Sequence, residues 1–267
     1  MAFIPFLVTG DPTSYAFMEI MDAILPFADI IELGIPYTDP VADGPVIQEA
    51  NVRSFENGMN FKKAVDLVHE IRSLTDKPIV ILTYANVIGV GKRRDTVLDE
   101  FKEAGVDGII IADVPLEEAI PFKKILDAKD MHMILLVTPE SSSDRASQIA
   151  CLASGFLYVV AVSGVTGARK VISSQLHQVF KMLEQIPEME HLPTCVGFGI
   201  SHPSHVKEIR DLGATGVIVG SAIIRIIEQH VKKHPKDVKN EFLVKKVREF
   251  VESMKDATKN MKRTDNT

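Results

Sequence analysis

The sequence has no tryptophan, only two cysteines and no apolar run near the length of a membrane-spanning helix. Such a helix needs about 20 consecutive apolar residues, and residues 1–8 lack the basic region and cleavage site of a secretory signal. Cys151 and Cys195 stand far apart and form no CxxC pair. These absences argue against a disulfide framework, and they predict a reducing cytoplasm as the compartment.

The chain also has no excess of positive charge. Thirty basic and 36 acidic residues give a formal net charge of −6, so no global positive field favours nucleic acid as a partner. No G-x-G-x-x-G follows the first apolar run, and no G-x-S-x-G occurs. A dinucleotide-binding fold and a serine hydrolase of the α/β type are therefore disfavoured.

A repeated unit runs along the 267 residues: a short apolar run, a turn, then an amphipathic stretch. The runs are apolar on both alternating faces, as in strands buried on two sides. The predicted strands are Phe3–Val8, Ile30–Leu33, Ile79–Thr83, Gly108–Ala112, Met133–Val137, Phe156–Ala161, Thr194–Gly197 and Gly216–Val219. Helical periodicity is found in Phe61–Leu74, Glu117–Ala128, Asp144–Ala153, Gln175–Leu183 and Ser204–Leu212.

Eight strands alternating with helices over this length predict an α/β protein with a single-domain (β/α)₈ TIM barrel. An open doubly wound sheet is the alternative. No linker or low-complexity tract divides the chain, so we expect residues 1–255 to form the barrel. Residues 256–267 lack a periodic apolar face, and we expect a frayed polar tail.

Active sites of such barrels lie at the carboxyl ends of the strands, and the second predicted strand carries a glutamate there. Strand alternation places Ile31 and Leu33 on one face and Glu32 on the other. If the apolar pair faces the outer helices, Glu32 points into the barrel. Burial would raise the pKa of its carboxyl and suit it to acid–base work, whereas the alternative is a structural ion pair.

The next segment, residues 35–45, contains three prolines and a second carboxylate, Asp43. Asp-Pro and Asp-Gly pairs often only build turns, and Asp43 could be a helix cap. The stiff loop would nevertheless position a side chain well. Glu32 and Asp43 together therefore predict a pair of groups for concerted acid–base chemistry.

Glycines follow the last three predicted strands. Gly197–Ser201 follows strand seven, Gly220-Ser221 would open a short helix after strand eight, and Ser163–Gly167 forms loop six. Loops seven and eight hold phosphate in many such barrels, and free N–H groups at a helix N-terminus bind anions. A phosphorylated ligand is favoured over turn chemistry alone, with loop six as a mobile lid.

Other chemistries lack support in the sequence. The two close histidine pairs, His202/His205 and His230/His234, fall on polar stretches that we expect to be exposed, so no metal site is predicted. None of the predicted strands contains a lysine for a Schiff base.

Residues 31–45, Ile-Glu-Leu-Gly-Ile-Pro-Tyr-Thr-Asp-Pro-Val-Ala-Asp-Gly-Pro, resemble the signature of the tryptophan synthase alpha subunit family. The motifs Thr9–Pro12, Thr83–Asn86, Ala112–Pro115 and Ser163–Gly167 also match in order, and the resemblance spans residues 2–250. Family members usually have a helix before the first strand. Here Met1 stands almost on that strand, so we expect the barrel to lack this helix.

The resemblance implies a lyase that cleaves indole-3-glycerol phosphate to indole and glyceraldehyde 3-phosphate, without a cofactor. It implies Glu32 and Asp43 as the catalytic carboxylates. It also implies a complex of the alpha2beta2 type with a pyridoxal-phosphate-dependent beta subunit, docked near Asp39, Pro40 and Pro115. The remaining implied residues line the indole pocket (Phe6, Leu82, Tyr84, Ala112, Tyr158, Phe198) or bind phosphate (Thr166, Gly167, Gly199, Gly220, Ser221).

Three other readings stay open from the sequence. A stand-alone lyase of the same family would use the same two carboxylates without a partner. A non-catalytic partner subunit would not need them, and a different barrel, such as a sugar-phosphate isomerase, would carry its acid–base residues on other strands.

Overall fold

A computed structural model describes residues 1–161, 174–234 and 241–259. Within them, eight parallel strands close into a barrel in sequence order, each paired with the next and β8 with β1. The strands are β1 (Ala2–Val8), β2 (Ile31–Gly34), β3 (Ile79–Thr83), β4 (Gly108–Ile111), β5 (His132–Val137), β6 (Leu157–Val160), β7 (Thr194–Gly197) and β8 (Gly216–Val219). The predicted barrel is confirmed.

Three strands, β3, β7 and β8, have the bounds expected from the sequence, and the other five differ by one residue at one or both ends. These differences arise because ladder hydrogen bonds do not end where the apolar run ends: they continue to Ala2, Gly34 and His132 beyond the run, and elsewhere they stop before it does. Phe156, for example, is buried beside the first residue of β6 but lies outside the ladder.

Helices surround the barrel. They are α1 (Ser14–Ile24), α2 (Pro45–Glu56), α3 (Phe61–Leu74), α4 (Ala85–Ile88), α5 (Lys92–Glu103), α6 (Leu116–Ala128), α7 (Ser143–Leu152), α8 (Ser174–Leu183), α9 (Pro203–Asp211), α10 (Ser221–Lys233) and α11 (Glu241–Thr258). None of these described helices is long and apolar enough to cross a membrane.

Two apolar clusters divide the core. One set of alternate strand residues, which includes Ile31 and Leu33, packs against the helices. The other set, which includes Phe6 and Val80 on the adjacent strands, fills the barrel interior. Side chains of a strand alternate between faces, so the two-faced apolar pattern produces both clusters. The expected placement of Ile31 and Leu33 toward the helices is confirmed.

The predicted tail boundary at residue 255 falls inside α11, which continues to Thr258. Met254, Ala257 and Thr258 are buried, because the inward face of the helix continues past Met254 through small and polar residues. Arg210 also donates to the carbonyl of Ala257 at 3.3 Å. Residues 260–267 of the predicted tail lie outside the described part of the chain.

Candidate active site

Glu32 lies in β2, in register with Phe6 of β1 and Val80 of β3. Both neighbours belong to the interior cluster, so the Glu32 side chain points into the barrel as alternation predicts. It is 1% exposed, and its Oε2 is buried without a hydrogen-bond partner among the described residues. Burial is the larger cause and the nearby charge of Asp43 the smaller one, and together they raise the pKa of Glu32 to about 8. The group is therefore a neutral acid at pH 7.

Asp43 lies on the loop between β2 and α2, where Gly44 is the N-cap of the helix and Pro45 its first residue. Asp43 is therefore not the helix cap, which was one of the structural roles considered for it from the sequence. Asn51 of α2 donates to Asp43 Oδ2 at 3.3 Å, and Gln48 Nε2 donates to the Asp43 carbonyl at 2.8 Å. Burial raises the pKa of Asp43 to about 6, although the neighbouring Tyr84 hydroxyl and the Asn51 amide oppose the increase.

The two carboxyl groups therefore share one environment but have different pKa values. Between pH 6 and pH 8, Asp43 is ionised while Glu32 keeps its proton. A site with one carboxylate and one carboxylic acid can accept and donate protons at the same pH, which is the arrangement that acid–base catalysis requires.

Two tyrosines, Tyr158 and Tyr84, lie beside these carboxyls, and a further aromatic ring packs on each of them. Tyr158 of β6 is buried, and burial followed by the charge of Glu32 raises the pKa of its hydroxyl well above the usual range. The Phe198 ring packs edge-on against Tyr158 at 5.6 Å between ring centroids. Tyr84 is buried at the end of β3 and stacks on Tyr37 of the Asp43 loop at 5.1 Å. The stacking fastens that loop to the barrel.

Phe6 also lies at this end of the barrel, with its ring between two glycines. A Cβ atom on Gly34 would come within 2.8 Å of the ring, and one on Gly220 within 2.7 Å. Leu82 belongs to the interior cluster, and Ala112 is half-buried directly after β4. All six residues expected to line an indole pocket therefore lie at or near the carboxyl ends of the strands.

The segment after β8 begins a helix, as expected, but α10 has 13 residues and is not short. The helix is longer than expected because one of its faces, formed by Ile223, Ile224 and Ile227, is buried against the barrel. Gly220 is its N-cap, so the first N–H groups, which lack partners within any helix, lie at the carboxyl end of the barrel. Gly199, with φ at +78°, lies beside the neighbouring strand end. Thr166 and Gly167 lie outside the described residues.

Sequence reasoning missed the polar residues that support the carboxyls. Asn51 stands on the buried face of α2 beside Ala50 and Ser54, and that helical spacing was the available signal. Asp11 pairs with Arg53, 42 residues away, and no local pattern links them.

The expectation for the histidines was partly wrong. His205 and His230 are buried, because they lie on the inward faces of α9 and α10 beside Ile209 and Ile227. His205 Nδ1 accepts from the backbone N–H of Ser201 at 3.4 Å. The described residues contain no group of three or more side chains suited to a metal ion.

A closed barrel of eight parallel strands, with a buried carboxyl on β2 and a half-buried one on the loop that follows it, is the architecture of a TIM-barrel enzyme. Comparison with known proteins gives the family. The family profile described as "Tryptophan synthase alpha chain" matches residues 1–259. The chain therefore belongs to the tryptophan synthase alpha chain family.

Individual relatives agree with this assignment. A tryptophan synthase alpha chain from Methanocaldococcus jannaschii is 40% identical over 234 residues, covering 87% of this chain and 82% of its own length. Another, from Desulfatibacillum aliphaticivorans, is 39% identical, covering 97% and 93%. A solved chain from the Pyrococcus furiosus tryptophan synthase a2b2 complex superposes with a TM-score of 0.84 at 34% identity, covering 95% and 97%.

Proposed function

We propose that this chain cleaves indole-3-glycerol phosphate to indole and glyceraldehyde 3-phosphate, with Glu32 and Asp43 as its catalytic residues. The reaction is that of the family to which the chain belongs. The observation that carries the assignment of residues is the pairing of a buried acid, whose pKa is about 8, with a carboxylate whose pKa is about 6.

The chemistry needs both protonation states. Indole leaves poorly as a carbanion, so C3 of the ring must first be protonated, and the neutral Glu32 is the acid that does this. Asp43, as a carboxylate, accepts a hydrogen bond from the ring N–H and stabilises the positive charge that protonation creates. The Glu32 carboxylate then takes the proton of the adjacent glycerol hydroxyl. The carbon–carbon bond breaks, its electron pair returns to the ring, and the hydroxyl carbon becomes the aldehyde.

The phosphate of the substrate would bind at the N-terminus of α10. Backbone N–H groups and the helix dipole favour an anion there, and Gly220 and Ser221 stand at that end. The placement also orients the substrate, because the Phe6 ring touches Gly220 and lies in register with Glu32. The indole ring would occupy the space beside Phe6 and Tyr158.

Changing Ser221 to aspartate should weaken binding of glycerol phosphate at least about tenfold, because a fixed negative charge would stand where the anion binds. Ser221 is a better target than Gly220, where any side chain would collide with Phe6. An acidic residue in the first turn of a helix interacts favourably with the helix dipole, so the fold should stay intact. Ser221→Asn is the matched neutral control, and calorimetric titration is the measurement. Equal affinities in the aspartate and asparagine variants would place the phosphate elsewhere.

The activity itself is tested by incubating the purified chain with indole-3-glycerol phosphate and measuring indole and glyceraldehyde 3-phosphate. We expect equal amounts of the two products. Glyceraldehyde 3-phosphate without indole, or no product with or without a partner subunit, would contradict the proposal.

We also infer a beta subunit as partner, since the Pyrococcus furiosus relative is described in a mutually activated a2b2 complex. Asp39 and Pro115 are exposed on loops at the catalytic end of the barrel, and Val41, two residues after Asp39, is 72% exposed. A partner that holds the Asp43 loop in its working position would raise the rate of indole release by its preference for that state. A rate that stays flat as a beta subunit is added would favour the stand-alone lyase.

We infer the cytoplasm as the compartment from the two free cysteines.

A further inference from the structure

The loop between β1 and α1, residues 9–13, is fastened to the strand that carries Glu32. The backbone N–H and the hydroxyl of Thr9 both donate to the carbonyl of Gly34, at 3.0 and 3.1 Å. Gly34 is two residues beyond Glu32 on β2. The position of this loop is therefore tied to the backbone that aims Glu32.

The same loop is fastened to the helix that holds Asp43. Ser54 of α2 donates to the carbonyl of Thr9 at 2.7 Å. Arg53 Nε and Nη2 donate to the two oxygens of Asp11, each at 2.8 Å, which is the two-bond geometry that fixes orientation as well as distance. Asn51 and Gln48, two and five residues before Arg53 on α2, both donate to Asp43.

We propose that Asp11 and Arg53 are positioning residues that hold α2, and through it Asp43, at the working distance from Glu32. The proposal rests on the function proposed above and adds to it a control of the geometry between the two carboxyls. Neither residue of the pair touches the substrate in this account.

The environment of the pair supports a role in geometry over one in stability. Asp11 is 1% exposed and the Arg53 side chain 14%, and burial raises the pKa of Asp11 to about 6 despite the guanidinium beside it. The desolvation of such a pair offsets most of its attraction, so apolar side chains would stabilise the fold equally well. A bidentate ion pair instead fixes the distance and the angle between two elements.

The test compares variants that break the pair with a variant that breaks a similar pair elsewhere. Arg53→Met removes the tie to α2, Asp11→Asn leaves at most one uncharged hydrogen bond in place of the two-bond ion pair, and Ser54→Ala removes the second tie with a much smaller change. Arg72→Met is the matched control, because Arg72 of α3 pairs with Asp107 just before β4, at the opposite end of the barrel. Indole release from indole-3-glycerol phosphate is followed from pH 5 to pH 9, together with thermal unfolding.

We expect Arg53→Met and Asp11→Asn to lower kcat by about ten- to a hundredfold, as small misplacements of catalytic groups do, with KM changed less than threefold. Ser54→Ala should lower kcat less, and Arg53→Lys, which keeps the charge but not the two-bond geometry, should be intermediate. Asp43 is faced by Glu32, Tyr84, Tyr158 and Asn51. A looser Asp43 would be more solvated, so the acid limb of its pH profile should move to lower pH.

The control should unfold at a lower temperature while its kcat and pH profile stay at the wild-type values. The proposal is overturned if the Asp11, Arg53 and Ser54 variants behave like the control, with lower stability and an unchanged kcat and acid limb. An inactive wild-type chain would instead overturn the proposed function, so the two failures are distinguishable. If the Arg53 and Asp11 variants fail to fold, Ser54→Ala decides: wild-type kcat and acid limb in that variant would overturn the proposal.

Discussion

Replacing Glu32 by glutamine should abolish indole release, with a loss of at least about a thousandfold in kcat. One acid–base group typically contributes between about a hundredfold and ten-thousandfold, and Glu32 serves both as the acid at C3 and as the base at the glycerol hydroxyl. An amide can do neither. The measurement is single-turnover indole release at pH 7, and activity within tenfold of the wild type would remove Glu32 from the mechanism.

The same substitution should leave the fold intact, and its effect on stability has a definite sign. Glutamine has nearly the shape of the neutral acid that Glu32 forms in the barrel. The pKa of Glu32 is raised from 4.5 to about 8, so the folded protein binds this proton more tightly than the unfolded chain. The resulting stability is fully present below pH 4.5 and is lost as the pH rises toward 8.

The Glu32→Gln variant has no titrating group at this position, so it does not lose this stability as the pH rises. We therefore expect its unfolding temperature to equal that of the wild type near pH 4.5 and to exceed it at pH 8 to 9. A variant that unfolds earlier than the wild type at every pH would show that Glu32 makes a structural contact instead.

Replacing Asp43 by asparagine should lower kcat at least about a hundredfold, because the amide cannot stabilise the charge on the ring nitrogen. The loop should keep its position, since the bond from Gln48 goes to the Asp43 backbone carbonyl and not to its side chain. Glycerol phosphate should bind with unchanged affinity, which separates loss of chemistry from loss of the site. Turnover at the wild-type rate would reduce Asp43 to a turn residue.

The number and position of the strands and the alternation of Glu32 with its apolar neighbours could be predicted from the sequence, because both are local patterns. Alternation places Ile31 and Leu33 on the face opposite Glu32, so Glu32 points into the interior once the apolar pair faces the helices, as it does in the structure. The helix Phe61–Leu74 was predicted at its observed bounds because its apolar positions repeat regularly, and the structure adds that the Asn60 side chain caps it.

The supporting network did not follow from the sequence. Asp11 and Arg53 meet only after the barrel closes, and neither residue carries a local signal of the other. The length of α10 and the burial of His230 depend on packing of the helix against the barrel, although the spacing of Ile223, Ile224 and Ile227 in the sequence was an available signal of the buried face. The predicted tail boundary at residue 255 differs from the structure because Ala257 and Thr258, which carry no large apolar side chain, are buried by the packing of α11.

The pH dependence of indole release tests the central claim most directly, because the claim is that Asp43 must be ionised while Glu32 is protonated. We predict a bell-shaped profile of kcat/KM with limbs near pH 6 and pH 8. These are the pKa values of Asp43 and Glu32 in the enzyme without substrate, which kcat/KM reports. Asp43→Asn should remove the acid limb from the residual activity and keep the basic one. A profile that is flat from pH 5 to pH 9, or one whose limbs stay unchanged in the Asp43 variant, would contradict the account.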